Sequence, residues 1–180
     1  MPGARKPSFS RRVPVGDNRA RSICDHCGFV DYVNPRVVVG AVCTWEDTIL
    51  LCRRSIEPRR GFWTLPAGFL EEGETVEEGV LREAREEARA DLELDGLLGV
   101  YSVPRVSQVQ LFYRARLRSP EVVAGEETLA VQLATWDRIP WDELAFPTVR
   151  WALGHFDQVR GRETFPPFSN PPGQRGEMKG

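Results

Sequence analysis

The pattern of hydrophobic and polar positions predicts an α/β domain that begins near residue 35. Runs of β-branched, aromatic and other apolar residues predict five strands of a buried sheet. They are RVVVGAVCTW, TILLCRR, DLELDGLLGVYSV, QVQLFYRARL and the segment from Ala130 to Trp136. The first two should form a hairpin, and Pro104 and Ser107 mark the turn between the next two. We expect the sheet to be mixed.

Two segments have the pattern of amphipathic helices. Thr75 and Glu78 have the spacing of a capping box, which predicts that a helix begins at Thr75. The apolar stripe of this helix consists of Val76, Val80, Ala84 and Ala88. We expect the helix to end near Ala90, and a second helix to run from Phe146 to Val159.

A long irregular segment precedes the first helix. The sequence EPRRGFWTLPAGFLEEGE is dense in glycine and proline, which predicts a loop with one short strand around Trp63 and Leu65. Long loops inside compact domains are often functional. Trp63 is a candidate shelf for a nucleobase, with a place in the core as the alternative interpretation.

Composition narrows the class of protein. The chain has 180 residues and a formal net charge of -2 with acids and bases interspersed, which gives no reason to expect DNA or a membrane as a partner. It contains no apolar run long enough to cross a membrane, and no hydrophobic leader follows the arginines at its start. We therefore predict a soluble, cytoplasmic protein.

Three glutamates in the first predicted helix indicate a metal site. Glu83, Glu86 and Glu87 lie at positions i, i+3 and i+4, so their carboxylates project from one helix face. Their repulsion opposes helix formation by roughly 0.2–0.5 kcal/mol per pair unless a divalent cation lies among them. Magnesium is the predicted cation because it prefers oxygen ligands and shares its shell with phosphates. The alternative is a solvated helix face on which nearby arginines pair with the glutamates.

A longer pattern favours the metal site. Its members, in chain order, are Gly68, Glu74, Arg82, Glu83, Ala84, Glu86 and Glu87. This pattern resembles the Nudix box, Gly-x5-Glu-x7-Arg-Glu-U-x-Glu-Glu-x-Gly-U, in which U is a bulky aliphatic residue. The resemblance implies an α/β/α sandwich with a mixed central sheet. It also implies magnesium-dependent hydrolysis of a nucleoside diphosphate linked to another group.

The resemblance implies a role for each matching residue. The ligands of magnesium, or of manganese in its place, would be the Gly68 carbonyl, Glu83, Glu86 and Glu87. Arg82 and Glu74 would orient these glutamates, while a water molecule activated by the metal attacks a phosphorus of the diphosphate. The base that takes the water's proton is a glutamate of the box or one from a later loop. Glu126 and Glu127 are candidates in that loop, with a solvated acidic loop as the alternative.

The sequence departs from the box at the end of the helix. Ala84 and Ala90 are small for their aliphatic positions, a change that protein cores tolerate. Arg89 stands where the box has glycine. A non-glycine residue in a left-handed helix terminus costs about 1 kcal/mol. Either Arg89 takes that conformation, or the helix continues for another turn.

A cysteine pair near the start of the chain has a separate explanation. Cys43 and Cys52 lie in strand-like runs, where reduced thiols behave as small hydrophobic groups. Cys24 and Cys27 have the spacing of one zinc-ribbon knuckle, whereas four tetrahedral ligands need two. The segment resembles the second half of the ribbon that precedes some Nudix domains. Two interpretations stay open: a ribbon that keeps its shape without zinc, or a zinc site completed by other ligands such as His26.

These features predict three parts of the chain. Residues 1–34 would form a flexible arm and a partial zinc-ribbon-like segment. Residues 35–160 would form the Nudix hydrolase domain, and residues 161–180 an extended C-terminal tail. Because Nudix enzymes of this kind are often homodimers, the resemblance also implies a homodimer.

The resemblance narrows the substrate to a dinucleotide. Ser107 and Gln108 match the start of the Ser-Gln-Pro-Trp-Pro-Phe-Pro element expected of NADH pyrophosphatases, but the residues after them do not. This speaks against NADH and NAD-capped RNA as the main substrates. The run YSVPRVSQVQLFYRARL and its neighbours are more similar to the set that cleaves FAD and ADP-ribose with release of AMP. The predicted substrate-binding residues are Arg54, Arg60 and Gln108, with Arg59 as a further candidate.

Two other functions compete with hydrolysis. A catalytically silent Nudix-like domain would sense nucleotides, but the complete set of box glutamates opposes this hypothesis. The cysteine knuckle would alternatively bind RNA or dock a protein. Against this, no basic and aromatic cluster surrounds Cys24 in the sequence.

Overall fold

The N-terminal part of the chain forms a small sheet of its own. The computed structural model describes residues 6–177, and the chain divides into two units between Asn34 and Pro35. The first unit is an antiparallel sheet with the strands β1 (Phe9–Arg12), β2 (Arg21–Cys24) and β3 (Val30–Asp31) in that order. The flexible arm predicted at the start of residues 1–34 is wrong from Phe9 onward, because β1 pairs with β2 along its whole length. The first five residues of that arm lie outside the described part of the chain.

The second unit contains the other strands and two helices. Its strands are β4 (Arg36–Trp45), β5 (Thr48–Arg54), β6 (Trp63–Thr64), β7 (Ala67–Phe69), β8 (Leu92–Val103), β9 (Gln108–Leu117) and β10 (Thr128–Thr135). Its helices are α1 (Val76–Ala88) and α2 (Pro147–Val159). The predicted strands and helices are present with small shifts at their ends, whereas β7 was not predicted because it is too short to show a period. No helix within residues 6–177 is long and apolar enough to cross a membrane.

One mixed sheet runs through the second unit in the order β10-β5-β4-β9-β8. β4 and β9 are parallel, whereas the other neighbours are antiparallel. The predicted hairpin of β4 and β5 is paired only near its tip, at Thr44 with Ile49 and at Trp45 with Thr48. Away from the tip, β7 pairs with β4 and β6 pairs with β5. The glycine- and proline-rich segment before α1 is thereby held between β4 and β5.

Each face of this sheet is covered by one helix. The core on the α1 face includes Val80, Ala84 and Ala88 of the helix with Val39, Ala41 and Cys43 of β4. The core on the α2 face includes Val149, Leu153 and Phe156 of the helix with Val42, Leu51 and Phe112 of the sheet. Val42 and Cys43 lie in different cores because successive strand residues point to opposite faces. The predicted α/β/α sandwich with a mixed sheet is confirmed.

The C-terminal tail has little regular structure, but it is attached to the edge strand β8. The N–H of Phe168 donates to the carbonyl of Leu98 at 2.8 Å, and its carbonyl accepts from the N–H of Val100 at 2.9 Å. The Phe168 ring stacks on His155 of α2 with the ring centroids 4.3 Å apart. The tail therefore protects part of an otherwise unpaired sheet edge.

A capping box defines the start of α1, and a left-handed residue defines its end. The side chain of Thr75 accepts from the N–H of Glu78, and the side chain of Glu78 accepts from the N–H of Thr75, which confirms the capping box. At the other end, Arg89 has φ 53° and ψ 24°, the left-handed conformation that glycine favours. Its N–H still donates to the carbonyl of Arg85 at 3.0 Å. The helix ends there and does not continue for another turn.

Replacing Arg89 with glycine should stabilise the protein. Because a non-glycine residue is strained in the left-handed region, Arg89→Gly should raise the free energy of unfolding by about 1 kcal/mol. Arg85→Gly is the matched control, since Arg85 is also exposed but has helical geometry, and it should lower that free energy by about 1 kcal/mol. Urea unfolding of the two variants measures both shifts. Shifts of the same sign in the two variants would contradict the left-handed conformation of Arg89.

Candidate active site

One cavity of about 750 Å³ in the second unit brings most of the predicted site residues together. Those that line it are Arg54, Gly68, Arg82, Glu83, Glu86, Glu87, Gln108, Glu126 and Glu127. Glu74 is not part of the lining, but it contacts Arg82 at 2.7 Å. Arg60 is exposed and does not line the cavity, so the structure does not bring it to the site.

Arg82 organises the acidic end of the cavity. Its guanidinium donates to both carboxylate oxygens of Glu74, at 2.7 and 3.0 Å. It also donates to Glu83 at 2.8 Å and to Glu86 at 3.0 Å. Hydrogen bonds from Arg82, and from the N–H of Glu71, lower the pKa of Glu74 to about 2. Within residues 6–177 no three acidic, cysteine or histidine side chains converge as a preformed metal site, and two of the box glutamates pair with Arg82 instead.

Two of the box carboxylates are buried. Glu83 and Glu87 are each 8% exposed, whereas Glu86 is exposed to solvent. Burial raises the pKa of Glu87 to about 8, although the N–H of Ala67 donates to this carboxylate at 3.1 Å. Burial also raises the pKa of Glu83, against the opposing effect of Arg82. The negative charges of these two groups are therefore only partly compensated within the protein.

The close approach of β7 to α1 requires glycine at position 68. A Cβ at Gly68 would overlap the carboxylate of Glu83. The backbone cannot simply move away, because Gly68 is paired with Val39 in the sheet. Glycine, which has no side chain, lets the strand lie this near the carboxylate while the Glu83 side chain keeps its position.

The loop after β9 is fixed against the end of α1. The N–H of Gly125 donates to the carbonyl of Glu87 at 3.0 Å, and a Cβ at Gly125 would overlap the carbonyl oxygen of Glu86. This contact places Glu126 and Glu127 at the cavity. The charge of Glu127 adds to the effect of burial in raising the pKa of Glu87.

Much of the remaining lining of the cavity is apolar. It includes Val103, Val106, Phe112, Phe146 and Val149, together with the amides of Gln108 and Gln110. Gln110 Nε2 donates to Gln108 Oε1 at 2.9 Å. Arg54 lies over the ring of Phe146 at 5.1 Å and donates to the carbonyl of Pro58 at 2.9 Å. One cavity is thus lined by carboxylates as well as by apolar side chains and paired amides.

Several lining residues were not predicted from the sequence. Gln110 lies two positions after Gln108 in β9, so the period of a strand places it on the same face and offered a usable signal. Phe146 and Gly176 also line the cavity, but no local pattern connects them to the Nudix-like segment. Trp63 is partly buried and packs against the core on the α2 face, which agrees with the core interpretation.

The cysteine knuckle of the first unit keeps a defined shape. Its loop is closed by the N–H of Gly28, which donates to the carbonyl of Cys24 at 3.0 Å. The N–H groups of Cys27 and His26 hydrogen-bond the sulfur of Cys24 and lower its pKa. Cys24 is buried and Cys27 is exposed, and neither forms a disulfide.

Comparison with known families decides to which group this fold and site belong. A NUDIX domain model matches residues 34–156, a stretch that contains Gly68, the glutamates of α1 and the loop with Glu127. The chain belongs to the Nudix family. A second model, the Nudix N-terminal zinc ribbon, matches residues 6–33.

Three Nudix proteins show the range of similarity. The crystal structure of a NUDIX hydrolase from Nitrosomonas europaea has a TM-score of 0.85 and 41% identity, over 91% of this chain and 94% of that chain. The ADP-ribose pyrophosphatase of Methanocaldococcus jannaschii is 34% identical over 119 residues, 64% of this chain and 69% of that protein. The NAD-capped RNA hydrolase NudC of Pseudomonas aeruginosa is 31% identical over 134 residues, 72% of this chain but 46% of that protein. This chain is a Nudix hydrolase that acts on a diphosphate bond.

Glu87 should make the stability of the metal-free Nudix protein depend on pH. Its pKa of about 8 in the folded protein lies above the ordinary value of 4.5. The associated stabilisation is fully present below the ordinary value and is lost as pH rises through about 8. In the presence of a chelator, Tm should therefore fall between the ordinary value of 4.5 and about pH 8, and Glu87→Gln should remove much of that fall.

Glu72→Gln is the control for this measurement. Glu72 is an exposed glutamate in the segment just before α1, so its replacement should keep the wild-type pH dependence of Tm. An undiminished fall in the Glu87→Gln protein would show that its carboxyl group has no raised pKa.

Proposed function

We propose that this Nudix hydrolase uses magnesium to cleave the diphosphate of ADP-ribose, FAD or a similar dinucleotide and releases AMP. The observation that carries the proposal is one cavity whose lining combines carboxylates with apolar side chains and amides. A dinucleotide offers matching parts, because its diphosphate is joined to a planar, mainly apolar base. The similarity to an ADP-ribose pyrophosphatase at 34% identity supports this choice of substrate class.

The acidic end fits a divalent cation. Glu83 and Glu87 are buried carboxylates with raised pKa values, so a nearby cation would stabilise their charged forms. Glu86 lies on the same helix face, and the backbone of Gly68 lies close to the Glu83 carboxylate. Carboxylate and carbonyl oxygens are the ligands that magnesium and manganese prefer. We assign these four residues as the group that holds the cation.

The remaining residues position the substrate and move a proton. When bound, the cation supplies Lewis-acid chemistry, which neutralises charge on the diphosphate and favours ionisation of the attacking water. Glu127 lies at the cavity on a fixed loop, and we assign it as the general base that accepts the proton of that water. Arg82, held by Glu74, orients the neighbouring carboxylates. Arg54 lines the same cavity and would bind phosphate oxygens.

The apolar part of the lining would hold the base of the substrate. Phe112, Phe146 and Val149 provide apolar surface, and Gln108 and Gln110 provide amide groups for hydrogen bonds. ADP-ribose and FAD share the adenosine half, so one compartment serves both. Cleavage of the diphosphate next to that half releases AMP from either compound.

A substrate panel tests this proposal directly. With magnesium, the protein should convert ADP-ribose or FAD to AMP with a higher kcat/KM than NADH, diadenosine polyphosphates or nucleoside triphosphates. Chromatographic detection of AMP and of phosphate distinguishes cleavage of the diphosphate from release of terminal phosphate. Tight binding of ADP-ribose by calorimetry without any hydrolysis would instead support a nucleotide sensor.

Amide replacements of the box glutamates should abolish most of the activity. Glu86→Gln and Glu87→Gln each remove a negative charge at nearly constant size, and each should lower kcat/KM by roughly 10²–10³-fold, as for other lost electrostatic groups. Glu72→Gln removes an exposed glutamate of the same segment and should leave kcat/KM unchanged. Magnesium-dependent hydrolysis that survives both replacements would overturn the mechanism.

A further inference from the structure

The C-terminal tail reaches the substrate cavity. Gly176 is buried and lines the cavity together with Val103 at the end of β8. Its φ is 82°, and a Cβ added to it would lie 2.8 Å from Cγ1 of Val103. The backbone of the tail is therefore packed directly against the cavity wall, without space for a side chain.

Side-chain hydrogen bonds hold the tail in this position. Asn170 Nδ2 donates to the carbonyl of Ser102, and Asn170 Oδ1 accepts from the N–H of Ser102, both at 2.8 Å. The same Nδ2 donates to the carbonyl of Gln174 at 3.0 Å. Gln174 Oε1 in turn accepts from Nε1 of Trp151 at 2.6 Å. The segment just before Gly176 is thus joined to both β8 and α2.

The part of the cavity beside Gly176 fits a planar ring with a polar edge. Val103 pairs with Gln108 across β8 and β9, so their side chains share one face. Phe112 and Gln110 extend this face along β9. The bond from Gln110 to Gln108 leaves an amide donor on Gln108 and an amide acceptor on Gln110. An adjacent donor and acceptor match the edge of an adenine ring, and the apolar residues match its face.

We propose that the tail segment 170–177 forms a wall of the nucleobase compartment and limits the size of the base that the enzyme accepts. The proposal rests on the proposed function, because the base belongs to the dinucleotide substrate. Gly176 is the specificity-determining position, since the space between the tail backbone and Val103 is already filled. Removing the tail should open the compartment, and a side chain at position 176 should disturb it.

Two substrates whose bases differ in size test the wall. Etheno-ADP-ribose carries an additional ring fused across N1 and N6 of adenine, which also removes the hydrogen-bonding groups of that edge. This second loss is the same for the full-length and shortened chains, so a change in their substrate ratio reports the space beside the tail. For a chain that ends at Ser169, the kcat/KM ratio of etheno-ADP-ribose to ADP-ribose should rise roughly tenfold, the effect of relieving one tight contact in a pocket. If the shortened chain does not fold, the double variant Asn170→Ala, Gln174→Ala releases the tail in the full-length protein and should shift the ratio in the same direction.

A pair of glycines provides the matched control. Gly173 also has a positive φ, 75°, but nothing lies within 4 Å of a Cβ added there. Gly173→Ala and Gly176→Ala therefore share the backbone strain, but only Gly176→Ala should raise KM for ADP-ribose, by roughly tenfold. If ADP-ribose is still hydrolysed, similar KM values for the two variants and an unchanged substrate ratio after truncation would overturn the proposal that the tail forms a wall of the compartment. Absence of hydrolysis in the unmodified chain would overturn the proposed function itself.

A different observation concerns the zinc implied by the N-terminal ribbon. Cys24 and Cys27 supply two of the four ligands that a structural zinc needs, and residues 1–23 contain neither cysteine nor histidine. In the part of the chain that the structure describes, no third acidic, cysteine or histidine ligand joins the pair. The residues present do not fit a structural zinc site.

Hydrogen bonds connect the knuckle to β1 and to Ser8, the residue just before β1. Asp25, inside the knuckle, accepts from Ser8 Oγ at 2.8 Å and from Ser10 Oγ at 2.7 Å. The N–H of Asp25 donates to the carbonyl of Ser8 at 2.9 Å. The hydroxyl bonds also lower the pKa of the Asp25 carboxyl group, which keeps it charged and a strong acceptor. We infer that these Asp25 contacts hold the knuckle in place of zinc.

Metal analysis and hydrogen exchange test this inference on the full chain. Protein purified without chelator should contain far less than one zinc per chain, and EDTA should leave amide exchange in residues 21–31 unchanged. Asp25→Ala should accelerate exchange of the Cys24 and Gly28 amides roughly tenfold, the effect of losing hydrogen bonds to a charged group. Asp31→Ala, an exposed aspartate of the same sheet, should not. One bound zinc per chain, or unchanged exchange in Asp25→Ala, would contradict the inference.

Discussion

Two carboxylates buried beside a glycine constrain the rest of the active site. Glu83 and Glu87 face β7 from α1, and burial raises the pKa of both. A buried charge is costly unless an opposite charge or hydrogen bonds compensate it. Arg82 provides part of this compensation for Glu83, and Gly68 provides the space that the carboxylate occupies. The remaining deficit of positive charge is what makes this end of the cavity suited to a cation and, through it, to a diphosphate.

The sheet explains how the carboxylates come to share one cavity with amide groups for the base. Val38 in β4 pairs with Phe69 of β7 on one side and with Gln110 of β9 on the other. The glycine- and proline-rich segment before α1 fits between β4 and β5 because these strands are paired only near the tip of their hairpin. A single central strand therefore fixes the distance between the metal-binding end proposed here and the amide end.

The segments around β1 and around Phe168 are more ordered than their composition predicts. The N-terminal strand β1 contains only one apolar residue and so has no pattern that predicts a strand, yet it pairs with β2 and places Ser10 against Asp25. The tail has no periodicity, yet Phe168 and Asn170 attach it to β8. Such segments are ordered by contacts with distant residues, and a local pattern contains no record of those partners.

The sequence alone predicts the longer strands of the second unit, both helices, the capping box at Thr75 and the spacing of the glutamates on α1, because each depends on residues a few positions apart. It left open whether Arg89 ends the helix, and it placed Arg60 among the substrate-binding residues although that side chain lies outside the cavity. The packing of the folded chain settles these points and brings Gln110 and Gly176 to one cavity. The reason is physical: burial, close backbone approach and the shape of a cavity arise from the packing of segments far apart in the chain.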